Sequence, residues 1–412
     1  MKKFLFIILI IICVIANLLA QDDENSLTYQ PAQVTFFYPI GIFGIHSQDF
    51  RYNFSLNILA GRTGGAEGFE AAGLVNVNDN FIKGFQAAGI GNLCRGNGDA
   101  FQTAGIFNLV RHDFTGFQSA GIVNANGGKT QAAQFAGIGN FTNGLQGAQF
   151  GGIINISSAA SNGAQFAGIV NTTIGNSNCF QVGGIANIAE KIKGGQVAGI
   201  GNAALAVDGI QIGGIFNAST SVDGGQIAGI VNLAVHVKGT QIAGVLNICD
   251  SIDGVPIALV SIVRKNGYRK FELSYNEFTW LNATFKTGVR KFYTLFTLGY
   301  NPENEQYNIS YGFGIGTSLL LKNQHSTIDI ELRSSQLSDN FTTDKLLINN
   351  TLIADYALIL FKRVEIFAGP SINILVADNS LMAVKVAPGW AMAYKYDNKI
   401  WGWVGFHAGL RF

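Results

Sequence analysis

Side chains able to do chemistry are few in this chain, and their spacing decides what they could do. Asp99, Asp113, Asp208, Asp223 and Asp253 lie through its middle. Glycoside hydrolysis needs two carboxylates within about 5–10 Å of each other. Asp208 and Asp223 share a register one coil apart, each before a glycine, and a solvated turn accounts for both. His46, His112, His236, His325 and His407 include no two at metal-ligand spacing. Gly312, Gly314 and Gly316 imitate a nucleotide fingerprint, but they alternate within a strand-like stretch instead of opening a helix. Cys94, Cys179 and Cys249 are too widely spaced for a disulfide framework and read as small buried thiols. Calcium-binding nonapeptides and rows of threonine are both missing from the pattern. The expectation is therefore no catalytic residue, no metal ligand, no cofactor and no enzyme. A net charge of +1 gives no electrostatic reason for a nucleic-acid partner.

Repetition is the stronger signal. Asparagines stand at Asn76, Asn92, Asn108, Asn124, Asn140, Asn155, Asn171, Asn187, Asn202, Asn217, Asn232 and Asn247, in steps of 15 or 16 residues. A glutamine precedes all but the first by six residues: Gln86, Gln102, Gln118, Gln134, Gln149, Gln165, Gln181, Gln196, Gln211, Gln226 and Gln241. Glu70 takes that place in the first copy. The ends decay as capping repeats do, with Ser55–Gly61 a degenerate copy upstream. Downstream, Pro256 stands at the glutamine position and Ile262 at the asparagine position.

Number the glutamine one and the asparagine seven. Strand alternation then puts the near-constant positions one, three, five and seven on one face, with Gln, Ala or Gly, Ile and Asn. Identical side chains at one register meet their own kind in the next copy, so the pattern predicts a β-solenoid with internal Gln and Asn ladders and a core row of isoleucine. Val207, Val222, Val237 and Ile252 mark a second strand before a turn. Fifty-two glycines and a period of two exclude helix. Positions two and six are often large and apolar, as at Phe135 and Ile227, and predict a contact surface. A rival arrangement makes the repeats a membrane sheet, although their strands are short for a span.

From about Tyr268 the texture changes to longer alternating strands, among them Leu352–Leu360, Val364–Ile374 and Ala383–Tyr394. Val404, Phe406, Ala408, Leu410 and Phe412 share one face of the last strand, as in the closing strand of an outer-membrane barrel. Trp280, Trp390, Trp401 and Trp403 fall near strand ends, where aromatic girdles lie. About nine strands are expected, with a tenth from Gln33–Tyr38 to make an even number. A soluble antiparallel sandwich is the alternative. At the other end Met1-Lys2-Lys3, an apolar run and Ala20 read as a secretory signal peptide.

With these features the chain resembles a family of bacterial surface repeat proteins that carry a signal peptide, tandem Gly-x-Gln-x-Gly-x-x-Asn repeats and a C-terminal β domain ending in aromatic residues. The resemblance implies a cell-surface location and brings no activity or site residues. The domain plan is then 1–20 signal peptide, 21–53 N-terminal segment with a strand joining the C-terminal domain, 54–263 solenoid and 264–412 barrel-like domain. The whole reads as all-β: a β-solenoid of 15–16-residue repeats followed by an antiparallel β-barrel-like domain. The functional expectation is an exported outer-membrane or cell-surface protein with a lipid partner, its β domain an anchor and its solenoid a structural or binding surface. A pore, with Asp329, Glu331 and Arg333 in a polar lumen, is the second expectation, and a polysaccharide-active solenoid enzyme the third.

Overall fold

A computed structural model describes residues 27–303, 307–322, 325–338, 346–360, 364–378, 387–393 and 399–412. The expected signal peptide lies outside them. The fold is all-β: about 13 turns of parallel β-solenoid and a closed eight-stranded antiparallel barrel. The chain forms two compact units, Met1–Gly214 and Ile215–Phe412, the second holding the last coils and the barrel.

Within each unit successive coils pair in parallel at the register of the repeat, Gln134 on Gln149 and Asn140 on Asn155. Positions one and seven are buried, as is position three from Ala104 onward. Position five is not. Ile106, Ile138, Ile185 and Ile230 are 37–48% exposed, so the isoleucines form an outer row and not a core row. The cause is position four. A Cβ on Gly105 would sit 2.1 Å from the carbonyl oxygen of Gly89 in the coil before, so the backbone turns a tight corner there. Alternation restarts beyond that corner, with isoleucine outside it. The apolar core comes instead from the second half of the repeat, through Ile82, Phe114, Leu145, Ile192 and Val207 in the first unit. Val222, Val237 and Ile252 continue that role in the second unit. Some coils have a polar core, with Thr130, Thr142, Ser157, Ser161 and Thr173 all buried. Their hydroxyls pair, Thr142 Oγ1 donating to Thr130 Oγ1 at 2.6 Å.

The strand Thr28–Phe37 does not join the barrel. It pairs in parallel with Phe50–Ala72, setting Gln33 beside Ser55, and covers the open edge of the first coil. An uncovered edge would expose a row of unpaired amides and carbonyls. At Gly61, the asparagine position of the degenerate copy, the missing side chain makes room for Asn57, whose side-chain atoms lie 2.0 Å from where a Cβ would stand. Asn57 thereby supplies the first ladder amide from position three. In the last coil Ser261, not Ile262, pairs with Asn247 and is buried. That coil is one residue shorter at its corner, where Leu259 replaces the glycine–apolar pair.

The barrel strands are β1 (Tyr268–Asn276), β2 (Leu281–Val289), β3 (Phe292–Tyr300), β4 (Ile309–Leu320), β5 (Ser326–Ser338), β6 (Leu347–Ile359), β7 (Glu365–Ala377) and β8 (Ile400–Arg411). Each pairs antiparallel with the next, and β1 on β8 closes the ring. Eight strands suffice, not nine or ten. Of the expected strand Ala383–Tyr394, the described part is a turn and the short strand Met392–Ala393, which pairs on β8. A closed barrel also replaces the sandwich alternative.

Candidate functional site

The barrel's polarity is the inverse of a water-soluble domain's. Alternate residues face outward and are apolar: Phe271 and Leu273 on β1, Ile330 and Leu332 on β5, Ile372 and Ile374 on β7. The closing strand follows the rule, with Val404 at 68%, Phe406 at 49% and Leu410 at 42% exposure, and Ala408 half-buried on the same face. Phe412 follows β8 and is exposed.

Charged side chains fill the interior. Lys286 is wholly buried between Glu272, at 2.5 Å, and Glu331. Arg333 Nη2 donates to Glu272 Oε1 at 2.8 Å and to Glu331 Oε2 at 2.6 Å. Arg411 bridges Glu272 at 3.0 Å, Glu365 at 3.2 Å and Asp329. His407 Nδ1 meets Asp355 Oδ2 at 2.8 Å, and the Tyr293 hydroxyl donates to Glu331 at 2.6 Å. Every lone cation here would be costly to bury, and the pairing offsets that cost. Asp329, Glu331 and Arg333 do face the lumen, as the sequence hinted, but each is tied to a partner.

Two further clusters pack inside the barrel, toward opposite rims. Tyr268, Tyr293 and Leu295 pack at one end. Phe278, Tyr307, Leu337, Leu347, Leu375 and Trp403 pack at the other. Trp403 is therefore an interior residue, its Nε1 donating to Glu277 Oε1 at 2.7 Å, and Trp401 packs against the same cluster. That corrects the expected girdle, of which Trp280 and Trp390 remain exposed.

In the solenoid all expected ladder residues are buried. In the first unit each asparagine donates forward: Asn76 Nδ2 to Asn92 Oδ1 at 2.9 Å, and so on to Asn202. Each glutamine donates backward: Gln102 Nε2 to Gln86 Oε1 at 2.7 Å, and likewise up to Gln211. The second unit keeps both directions, Asn232 to Asn247 and Gln241 to Gln226. Opposite directions explain the ends. Asn57 Oδ1, first of its row, and Gln241 Oε1, last of its row, have no hydrogen-bond partner among the described residues. A glutamine at position 70 would aim a donor at the coil before. Glu70 instead accepts, from Gln86 and Asn78 at 2.8 Å each. Burial raises its pKa above the ordinary carboxyl range, although those amides pull the other way.

Outside the coils of the first unit, eight phenylalanines from Phe54 to Phe166 stack with ring centres 4.6–5.5 Å apart. The row shifts from position zero at Phe117 to position two at Phe135, and a groove of about 530 Å³ runs beside Phe135, Phe150 and Phe166. The rings' faces are taken by one another.

Asp99, Asp113, Asp208, Asp223 and Asp253 are exposed, and Asp223 pairs with Lys238 at 3.3 Å. Cys94, Cys179 and Cys249 are free and buried, and burial pushes their thiols up to about 12, 12 and 11. No cluster of three metal-ligating side chains occurs among the described residues. Sequence reading passed over Glu272, Lys286, Asp355, Glu365 and Arg411. Their signal was available: a charge at alternate positions opposite an apolar face. No family model, curated protein or solved structure matches this chain.

Proposed function

We propose that the barrel is a membrane-spanning anchor in an outer membrane, and that the solenoid it carries is a structural or binding surface. The apolar outer wall around a salt-bridged interior carries this reading. In water that wall would expose leucine, isoleucine and phenylalanine on every strand, far beyond the patch a soluble monomer tolerates. In a bilayer the same wall is the favourable surface, and ring closure satisfies the backbone. Strands of 9–13 residues suit a tilted crossing.

The interior argues for anchor over conduit. Among the described residues, paired charges and packed side chains occupy the lumen, which supports an anchor over a conduit. Catalysis is not part of the proposal, since the exposed aspartates are spread along the coils, three of them within strands.

Gel migration of the membrane-extracted protein, unheated against boiled, is the test. The unheated form should run faster and come from the outer-membrane fraction. Recovery as a soluble species with no shift would refute the anchor. Planar bilayers should show no steps above the lipid baseline, and sustained open-channel steps would restore the conduit.

A further inference from the structure

The barrel's two rims differ. Where β1 begins and β8 ends, the connections are short, residues 290–291, 321–325 and 360–364. At the opposite rim three of the four pairs of described strands stand further apart in sequence, Tyr300 to Ile309, Ser338 to Leu347 and Ala377 to Ile400, and Asn276 to Leu281 is the fourth. The last coils of the solenoid are fixed to the short-connection rim. Thr287 and Thr294 point outward from β2 and β3, yet both are buried, because the last coil lies over them. Their hydroxyls donate to the carbonyls of Ser261 at 2.6 Å and Leu259 at 2.9 Å. Val289, at the tip of the same hairpin, joins Val263, Ile252 and Cys249 in one buried cluster. The hairpin thus covers the coil's open edge and closes the end of its core.

Outer-membrane barrels keep short turns on the periplasmic side and longer loops outside. We propose that the coils from Ile215 to Val263 lie on the periplasmic side of the membrane, so that the surface they present meets periplasmic partners and not the cell's surroundings. This rests on the anchor reading above and adds the side.

The test is labelling by a membrane-impermeant maleimide in intact and outer-membrane-permeabilised cells, on full-length K238C and G389C. Lys238 is exposed on a coil, and Gly389 has open space around it in the long far-rim connection. The unmodified chain, with Cys94, Cys179 and Cys249 buried, sets the background. G389C should label in intact cells, and K238C should gain at least tenfold on permeabilisation. Labelling of K238C in intact cells, from a heat-modifiable outer-membrane protein, overturns the side and leaves the anchor standing. Loss of the heat shift and of membrane recovery in both variants and in the unmodified chain overturns the anchor, and this inference with it.

Discussion

Glu70 shows how one atom type ends a ladder. Its carboxyl accepts from Gln86 and Asn78 at the place where each later glutamine donates to the coil before. The pH consequence follows from its raised pKa. Between the unfolded and folded values the folded state binds more protons, so stability falls as pH rises through that window. Its contribution is fully present below the ordinary carboxyl range and lost as pH passes the folded value. Melting E70Q beside the unmodified chain, from acidic to neutral pH, should show the gap moving in the variant's favour as pH rises. Parallel profiles would mean that Glu70 titrates alike in both states. At this scale the ladder was legible, because identity recurring at one register can only be stacking. The isoleucine at position five was misjudged for an equally physical reason. Alternation holds along a strand, and the glycine whose Cβ would strike the preceding coil ends the strand two residues short of the asparagine's run.

Among elements, alternation located most barrel strands but left open which face looks inward. An antiparallel sandwich and a closed barrel share the same periodicity. What separates them is the charge on the polar face, and that reads only when Glu272, Lys286, Glu331, Arg333 and Arg411 are brought from four strands to one centre. The N-terminal strand pairs with the first coil and not with the barrel, because the coil's bare edge outweighs an even strand count. Removing one partner from the centre isolates buried charge. R333M should cost about 3–5 kcal/mol, read as the denaturant midpoint of the folded barrel in detergent. Adding E331L should recover part of the loss, since it withdraws a carboxylate left facing Glu272. A single variant that unfolds with the parent would mean the centre is solvated.

For the molecule as a whole, coils contact chiefly their neighbours, so stability accrues coil by coil. Deleting residues 134–148 removes one repeat and brings Gln149 into register after Ala133. That chain should still fold and keep its barrel's heat shift, with a melting point within a few degrees of the parent. Deleting half as many residues should abolish folding of the coils, since each ladder would meet the wrong side chain. Circular dichroism on both chains decides it. Equal loss in both would mean the array tolerates no change in number.

The opposed donors of the two amide rows reach further. A single row of aligned amides is a dipole that lengthens with every copy, and its ends grow harder to stabilise. Asparagines donating forward beside glutamines donating backward sum to nearly nothing. Copy number is then electrically neutral, and a gene that gains or loses repeats by unequal exchange would keep encoding a foldable protein, its reach free to drift while its ends stay fixed.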